Sequence, residues 1–171
     1  MEPLEFLRPA LVMKQEAVDF REAFFQQGEN FIHGSGRWDK VESYECWVEQ
    51  YAGSGGLSAD GFFSQVYFVR RQKEEKLIGV IEVRYGFSEE KYHYGHMGYS
   101  VRPDERGHGY GTSFVAWGLA HVRARGVRQA IICCYEDNAA SRRAIEKNGL
   151  MLYRVYPEAG NGKMVREYRQ P

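Results

Sequence analysis

From His96 to Arg125 the chain passes through three kinds of local structure in close succession. His96-Met97-Gly98-Tyr99-Ser100-Val101-Arg102 reads as a strand, Pro103 breaks it, and the loop that follows carries glycine at 107, 109 and 111. A helical pattern then runs from about Tyr110 to Arg125. A helix N-terminus leaves its first N–H groups without internal partners and carries the positive end of the helix dipole. Glycines at such a junction remove the Cβ atoms that would hold an anion away. The stretch is therefore expected to bind an anion, with phosphate the best fit.

Two familiar phosphate loops fail on inspection. A P-loop needs Lys followed by Ser or Thr after its last glycine, and Tyr110-Gly111-Thr112 offers no Lys. A dinucleotide fingerprint, G-x-G-x-x-G, would need its third glycine at Thr112 or at Phe114, depending on the starting glycine. It would also need an acid after the next strand, where Val127-Arg128-Gln129-Ala130-Ile131 has none. A glycine-rich turn that only joins strand to helix stands as the plain alternative.

Composition narrows the classes. A chain of 171 residues suits one domain with a sizeable core. Lys+Arg and Asp+Glu both number 23, so the net charge is zero and no global field favours nucleic acid or an anionic membrane. Arg102, Arg106, Arg123, Arg125 and Arg128 nevertheless gather around the phosphate loop in sequence. Cys46, Cys133 and Cys134 suit a reducing compartment. The adjacent pair should point to opposite faces of a strand and stay unpaired. No Cys/His spacing suggests a metal. The start, Met1-Glu2-Pro3-Leu4-Glu5, lacks the features of a signal peptide, and no apolar run reaches membrane-spanning length. A cytoplasmic location is the default expectation.

The remaining segments read as an α/β chain. A short strand or edge segment is expected over 5–13, then a helix over 14–27 ended by Gly28, a loop over 30–38, and a helix over 41–51 ended by the glycines at 53, 55 and 56. Strands follow over 65–71 and 77–85, joined by the charged turn 72–76, which should pair them antiparallel. In the second of these, Leu77, Gly79, Ile81, Val83 and Tyr85 should share one face. Beyond the central helix come a strand over 127–135, a helix capped by Asp137 or Asn138 and ended by Gly149, and two last strands over 150–156 and 164–168.

Arg106-x-x-Gly109-x-Gly111, after the strand end Val101-Arg102-Pro103, resembles the acetyl-CoA pyrophosphate loop of the GNAT superfamily of N-acetyltransferases. Asn138-Ala139-Ala140-Ser141 with Glu146-Lys147-Asn148-Gly149-Leu150 resembles that family's second signature. The likeness covers roughly residues 65–156 and is greatest to the bacterial branch that includes ribosomal-protein and small-molecule acetyltransferases. It implies a single-domain GNAT fold over 1–171, with a mixed, mostly antiparallel sheet flanked by helices and splayed at the motif strand. It also implies acetyl-CoA as cosubstrate, no metal, and acetyl transfer to a primary amine by direct attack in a ternary complex. Arg106, Gly107, His108, Gly109, Tyr110, Gly111 and Thr112 would hold the pyrophosphate. Tyr99, Ser100 and Val101 would hold the pantetheine and the thioester oxygen, with Asn138 and Ser141 completing the cofactor site. The acceptor wall would carry Phe31, His33, Trp38, Tyr44 and Trp47, and a homodimer is compatible with the resemblance.

Amine attack needs a proton removed, and the departing thiolate needs a hydroxyl beside it. Many family members supply the hydroxyl from a Tyr seven residues after the Asn; here that position is Ile145, and Ser141 is the substitute. For the base, the position at the start of the motif strand is His96, with Glu82 the second candidate and His93 and Tyr94 after it. The rival readings are a non-catalytic acyl-CoA sensor and a nucleotide-dependent transferase.

Overall fold

The computed structural model describes residues 3–51, 56–57, 61–72, 74–87 and 94–171. In chain order the elements are β1 (Leu4–Leu7), α1 (Lys14–Phe25), α2 (Tyr44–Tyr51), β2 (Gly56–Leu57), β3 (Phe63–Arg71), β4 (Leu77–Tyr85), β5 (Met97–Val101), α3 (Tyr110–Arg123), β6 (Ile131–Tyr135), α4 (Ala139–Glu146), β7 (Met151–Pro157) and β8 (Met164–Arg169). The expected stop of α2 at residues 52–55 and the candidate His93 lie outside the described residues.

The strands form two antiparallel sheets. One has the order β1-β3-β4-β5, with β2 on β3; the other has the order β6-β8-β7. Strand β3 shows why the first sheet is buried on both faces. Val66 and Phe68 enter a cluster with Phe20, Phe24, Trp38 and Trp47, while Tyr67 and Val69 enter another with Phe114, Val115 and Leu119. The period-two alternation of a strand thus feeds a helix layer on each side.

On β4 the expected single face is broken. Between Val69 and Arg70 of β3, the register on β4 steps from Gly79 to Leu77 and leaves Ile78 as an extra residue. An extra residue in a ladder moves what precedes it to the other face. Leu77 accordingly packs with Val80 in the first cluster, and Ile78 with Ile81 and Val83 in the second.

At two places a local hydrogen bond moves a boundary from the sequence pattern. Ser43 Oγ accepts the Cys46 N–H at 3.3 Å, so α2 begins after this cap rather than at Val41. The Val127 N–H donates to Val122 O at 3.2 Å after Gly126, which closes α3 and delays β6 to Ile131. Trp38, Tyr44 and Trp47, expected on an acceptor wall, are core residues with 1% exposure each. Their polar atoms are satisfied inside: Trp38 Nε1 donates to Ala17 O at 3.1 Å and Trp47 Nε1 to Gly36 O at 2.9 Å.

Among the described residues the two sheets meet at one bridge, Gly95 with Ile132, and share no ladder beyond it. The His96 N–H donates to Ile131 O at 2.7 Å, and His96 Nδ1 accepts the Ile131 N–H at 3.0 Å. From that fastening β5 and β6 part, and the gap between them holds the site.

Candidate active site

A cavity of about 780 Å³ opens between the parted strands. Met97, Gly98 and Tyr99 line one side, Cys133, Cys134 and Tyr135 the other; Asn138 and Ser141 of the α4 start, the segment Phe31–Arg37, the turn Pro157–Asn161, and Asp39, Glu82 and Arg84 also line it. The segment Phe31–Arg37 crosses β5 at very short range. Gly34 has φ +74°, and a Cβ there would lie 2.1 Å from Gly98 O, so no side chain fits. Ser100 Oγ donates to His33 O at 2.9 Å and pins the same crossing.

The glycine-rich loop lies at the other end of β5. Gly107 and Gly109 have φ of +87° and +83°, a backbone region that side chains disfavour. Gly109 is the residue before α3, and no side chain caps that helix. The first amides of Tyr110, Gly111 and Thr112 therefore lack a capping partner, except that Thr112 N–H donates to Gly109 O at 3.0 Å. Beneath the loop, Glu105 is buried and held by Arg71 Nη1 at 2.8 Å and Lys76 Nζ at 2.6 Å. Arg71 Nη1 also donates to Tyr110 OH at 3.0 Å, so the Tyr110 side chain faces inward and only its backbone is offered to a ligand. His108 stays exposed, its Nδ1 3.2 Å from Glu105 O.

Arg106 has a partner the sequence pattern gives no hint of. Its guanidinium forks onto both carboxylate oxygens of Glu29, at 2.7 and 2.8 Å, and its Nε donates to Val101 O at 3.2 Å. That pairing holds the Glu29 carboxyl below its ordinary range.

At the cavity wall the structure brings together two hydroxyls from residues far apart in sequence. Tyr99 OH is 3.0 Å from Ser141 Oγ, and the Ser141 N–H donates to Asn138 Oδ1 at 3.0 Å. Asn138 is thus the N-cap of α4. Burial raises the Tyr99 phenol to about 12, and the Ser141 hydrogen bond opposes that rise. Ile145 is fully buried among Phe114, Ala144 and Leu150, so a side chain at that position points into the core. Burial also raises the Cys133 and Cys134 thiols, each to about 11, and both are free.

The two candidate bases part company. Glu82 lines the cavity, yet Ser64 Oγ donates to one of its oxygens and Arg84 Nη1 to the other at 2.8 Å. His96 does not line the cavity. Its ring is 7% exposed, packs on Phe87 at 4.6 Å and spends Nδ1 on fastening the two sheets. The expectation of a basic His96 in the site therefore gives way to a structural one. Tyr94 is exposed at the cavity edge, and of the proposed acceptor wall Phe31 and His33 are the members that face the cavity.

Sequence reasoning missed the Tyr99 hydroxyl, Arg84, Tyr135 and Glu158. Strand alternation against Gly98 and Ser100 could have turned the Tyr99 side chain toward α3 and α4. No local signal marks Glu158, which sits in a turn and accepts the Tyr135 hydroxyl at 2.8 Å. Among the described residues no cluster of His, Cys, Asp and Glu is arranged to hold a metal, and no helix is long and apolar enough to cross a membrane.

Comparison with known proteins agrees on one architecture. The model of the acetyltransferase (GNAT) domain matches residues 7–151. A mycothiol acetyltransferase of Streptosporangium roseum is 42% identical over 55 residues, 32% of this chain and 16% of that protein's length. The chain thus spans under a fifth of that relative. Among solved structures, the RimL ribosomal L7/L12 alpha-N-protein acetyltransferase in complex with coenzyme A superposes with a TM-score of 0.71 at 21% identity, covering 98% of this chain and 93% of its own. The microcin C7 self-immunity acetyltransferase MccE, in complex with acetyl-CoA and AMP, gives a TM-score of 0.69 at 19% identity, covering 98% and 91%. At these identities the superpositions speak for the fold.

Proposed function

The chain belongs to the acetyltransferase (GNAT) domain family, and from that premise we propose that it transfers an acetyl group from acetyl-CoA to a primary amine by direct attack in a ternary complex. The observation that carries this reading is the uncapped start of α3, opened by left-handed Gly107 and Gly109, at the end of a strand that has parted from its neighbour. Open amides at a helix N-terminus suit a pyrophosphate. Gly98 and Ser100 pair with β4, so β5 turns the backbone of Tyr99 and the Val101 N–H to the gap between β5 and β6, for the pantetheine amides and the thioester oxygen. Arg106 joins the pyrophosphate by exchanging the Glu29 carboxylate for it.

The thiolate is stabilised by Ser141, whose hydroxyl is freed to aim at sulfur when Tyr99 donates to Ser141 Oγ. Full proton transfer from Tyr99 is disfavoured. A phenol near 12 facing a thiol near 8.5 stands about 3.5 units uphill, or about 5 kcal/mol. The pair therefore donates a hydrogen bond, and the sulfur takes its proton from solvent. On the acceptor side, a lysine-like ammonium with pKa about 10.4 costs about 4–5 kcal/mol to neutralise at pH 7, so a base close to the amine is needed.

Release of free CoA from acetyl-CoA, followed with a panel of diamines, amino acids, aminoglycosides and peptide N-termini, tests the reading. Acceptor-dependent release is the expected result. Tight acetyl-CoA binding without release for any amine would leave the sensor reading in its place. The Tyr99–Ser141 hydroxyls, standing near where the position of Ile145 offers none, favour the enzyme over the sensor.

A further inference from the structure

We propose that His33 is the general base of the amine acceptor, a role that rests on the acetyl-transfer reading above and sharpens it. Five carboxyl or imidazole groups could be asked to do this, and four already carry side-chain hydrogen bonds. Glu82 is held between Ser64 and Arg84. Asp39 lines the cavity, but its Oδ1 accepts Ser35 Oγ at 2.8 Å, its Oδ2 lies 3.6 Å from Lys40 Nζ, and its side chain is 1% exposed. Glu158 accepts Tyr135 OH and Asn161 Nδ2 on one oxygen. His96 is the fastening between the sheets.

His33 differs in each respect. Its ring faces the cavity and is open to solvent there, and neither ring nitrogen is hydrogen-bonded among the described residues. Its position is fixed by the backbone: Ser100 Oγ holds His33 O, and Gly34 is pressed on Gly98. The imidazole therefore sits beside the strand residues proposed to carry the thioester. Phe31 meets the ring edge-on at 4.6 Å and Tyr135 of β6 at 6.0 Å, which limits its rotation.

The charged groups facing the ring are Asp39 on its own segment, Arg84 on β4, and Glu158 and Lys163 around the β7–β8 turn. Crowding by protein atoms, with Arg84 and Lys163, lowers the imidazole below 6.5, while Asp39 and Glu158 oppose the fall. The ring is neutral at pH 7 and free to accept a proton.

In the reaction, an ammonium N–H bond breaks and the proton goes to His33. The amine nitrogen bonds to the thioester carbon, the carbon–sulfur bond breaks, and the thiolate leaves beside Ser141; the acylated nitrogen then loses its second proton to water, and the thiolate takes one proton from water. The imidazolium returns its proton to water, so the net products are the amide, CoA thiol and one proton.

The test uses the full chain and an amine that the wild type acetylates. His33→Gln is expected to lower kcat by at least about 100-fold and leave the acetyl-CoA KM within a few-fold. The wild-type profile of kcat/KM should lose activity as pH falls below 6.5, and that limb should vanish in the variant. Imidazole should partly restore His33→Ala. If H33Q keeps its kcat, or the acidic limb persists in it, the proposal is overturned. The wild-type profile is a readout that needs no variant: the absence of an acidic limb overturns it as well. Absence of turnover by the wild type with every amine would instead overturn the acetyl-transfer reading, and the role of His33 with it.

Discussion

Replacing Gly34 with alanine probes the crossing on which the acceptor side depends. The new Cβ would lie 2.1 Å from Gly98 O, whereas an ordinary carbon–oxygen contact is about 3.3 Å. The segment must retreat by about 1.2 Å, and the strand cannot give way because β4 pairs with it at Glu82 and Gly98. Alanine also has to adopt φ +74°, which costs about 1–2 kcal/mol. For a domain of this size that is a fall in Tm of roughly 2–8 °C. The functional loss should be larger, because a displacement of about 1 Å of a positioning group can cost about 100-fold in rate. Thermal unfolding and CoA release together give the answer. The expected pattern is a modest loss of Tm, an acetyl-CoA KM within a few-fold of wild type, and kcat down by about 100-fold. Wild-type kcat in a folded Gly34→Ala variant would refute the claim that this crossing sets the acceptor geometry.

Two further outcomes follow from particular contacts. Ser141→Ala should lower kcat by about 10–150-fold, the value of one hydrogen bond to a charged sulfur of about 1.5–3 kcal/mol, and Tyr99→Phe should cost less; a S141A enzyme with wild-type kcat in single-turnover measurements would exclude the serine. His121 lies in a half-buried cluster with Tyr67 and Gln65, and desolvation lowers it from 6.5 to about 4. Between those values the unfolded chain binds the proton that the folded chain does not, so stability is complete above pH 6.5 and declines toward pH 4, by at most about 3 kcal/mol. Denaturant titrations of wild type and His121→Asn over that range should converge at the acidic end; equal slopes against pH would show that His121 is not the source.

The parts of the fold legible in sequence were those carried by neighbours along the chain. The strand–proline–glycine run gave the loop at Gly107 and Gly109, and the cap of α4 was narrowed to Asp137 or Asn138, of which the structure has Asn138, because each depends on residues within one turn. The extra residue at Ile78 was not legible, since it is defined by the partner strand at Val69 and Arg70. His96 was misassigned for the same reason: the Ile131 N–H that takes its Nδ1 lies 35 residues away. Trp38, Tyr44 and Trp47 show the limit of an aromatic pattern, which marks burial but not whether the buried surface is core or cavity. The Tyr99–Ser141 pair and the Arg106–Glu29 fork span 42 and 77 residues, and only the folded chain puts them in contact.

The central claim is that open amides at the start of α3, framed by Gly107 and Gly109, grip a pyrophosphate and thereby place the thioester between β5 and β6. Calorimetric titration of the wild-type chain with acetyl-CoA and, separately, with S-acetyl-pantetheine tests it without any substitution. Two or more charge-assisted hydrogen bonds, each worth about 1.5–3 kcal/mol, should make acetyl-CoA bind at least about 100-fold tighter than the truncated thioester. Equal Kd values for the two would contradict the claim.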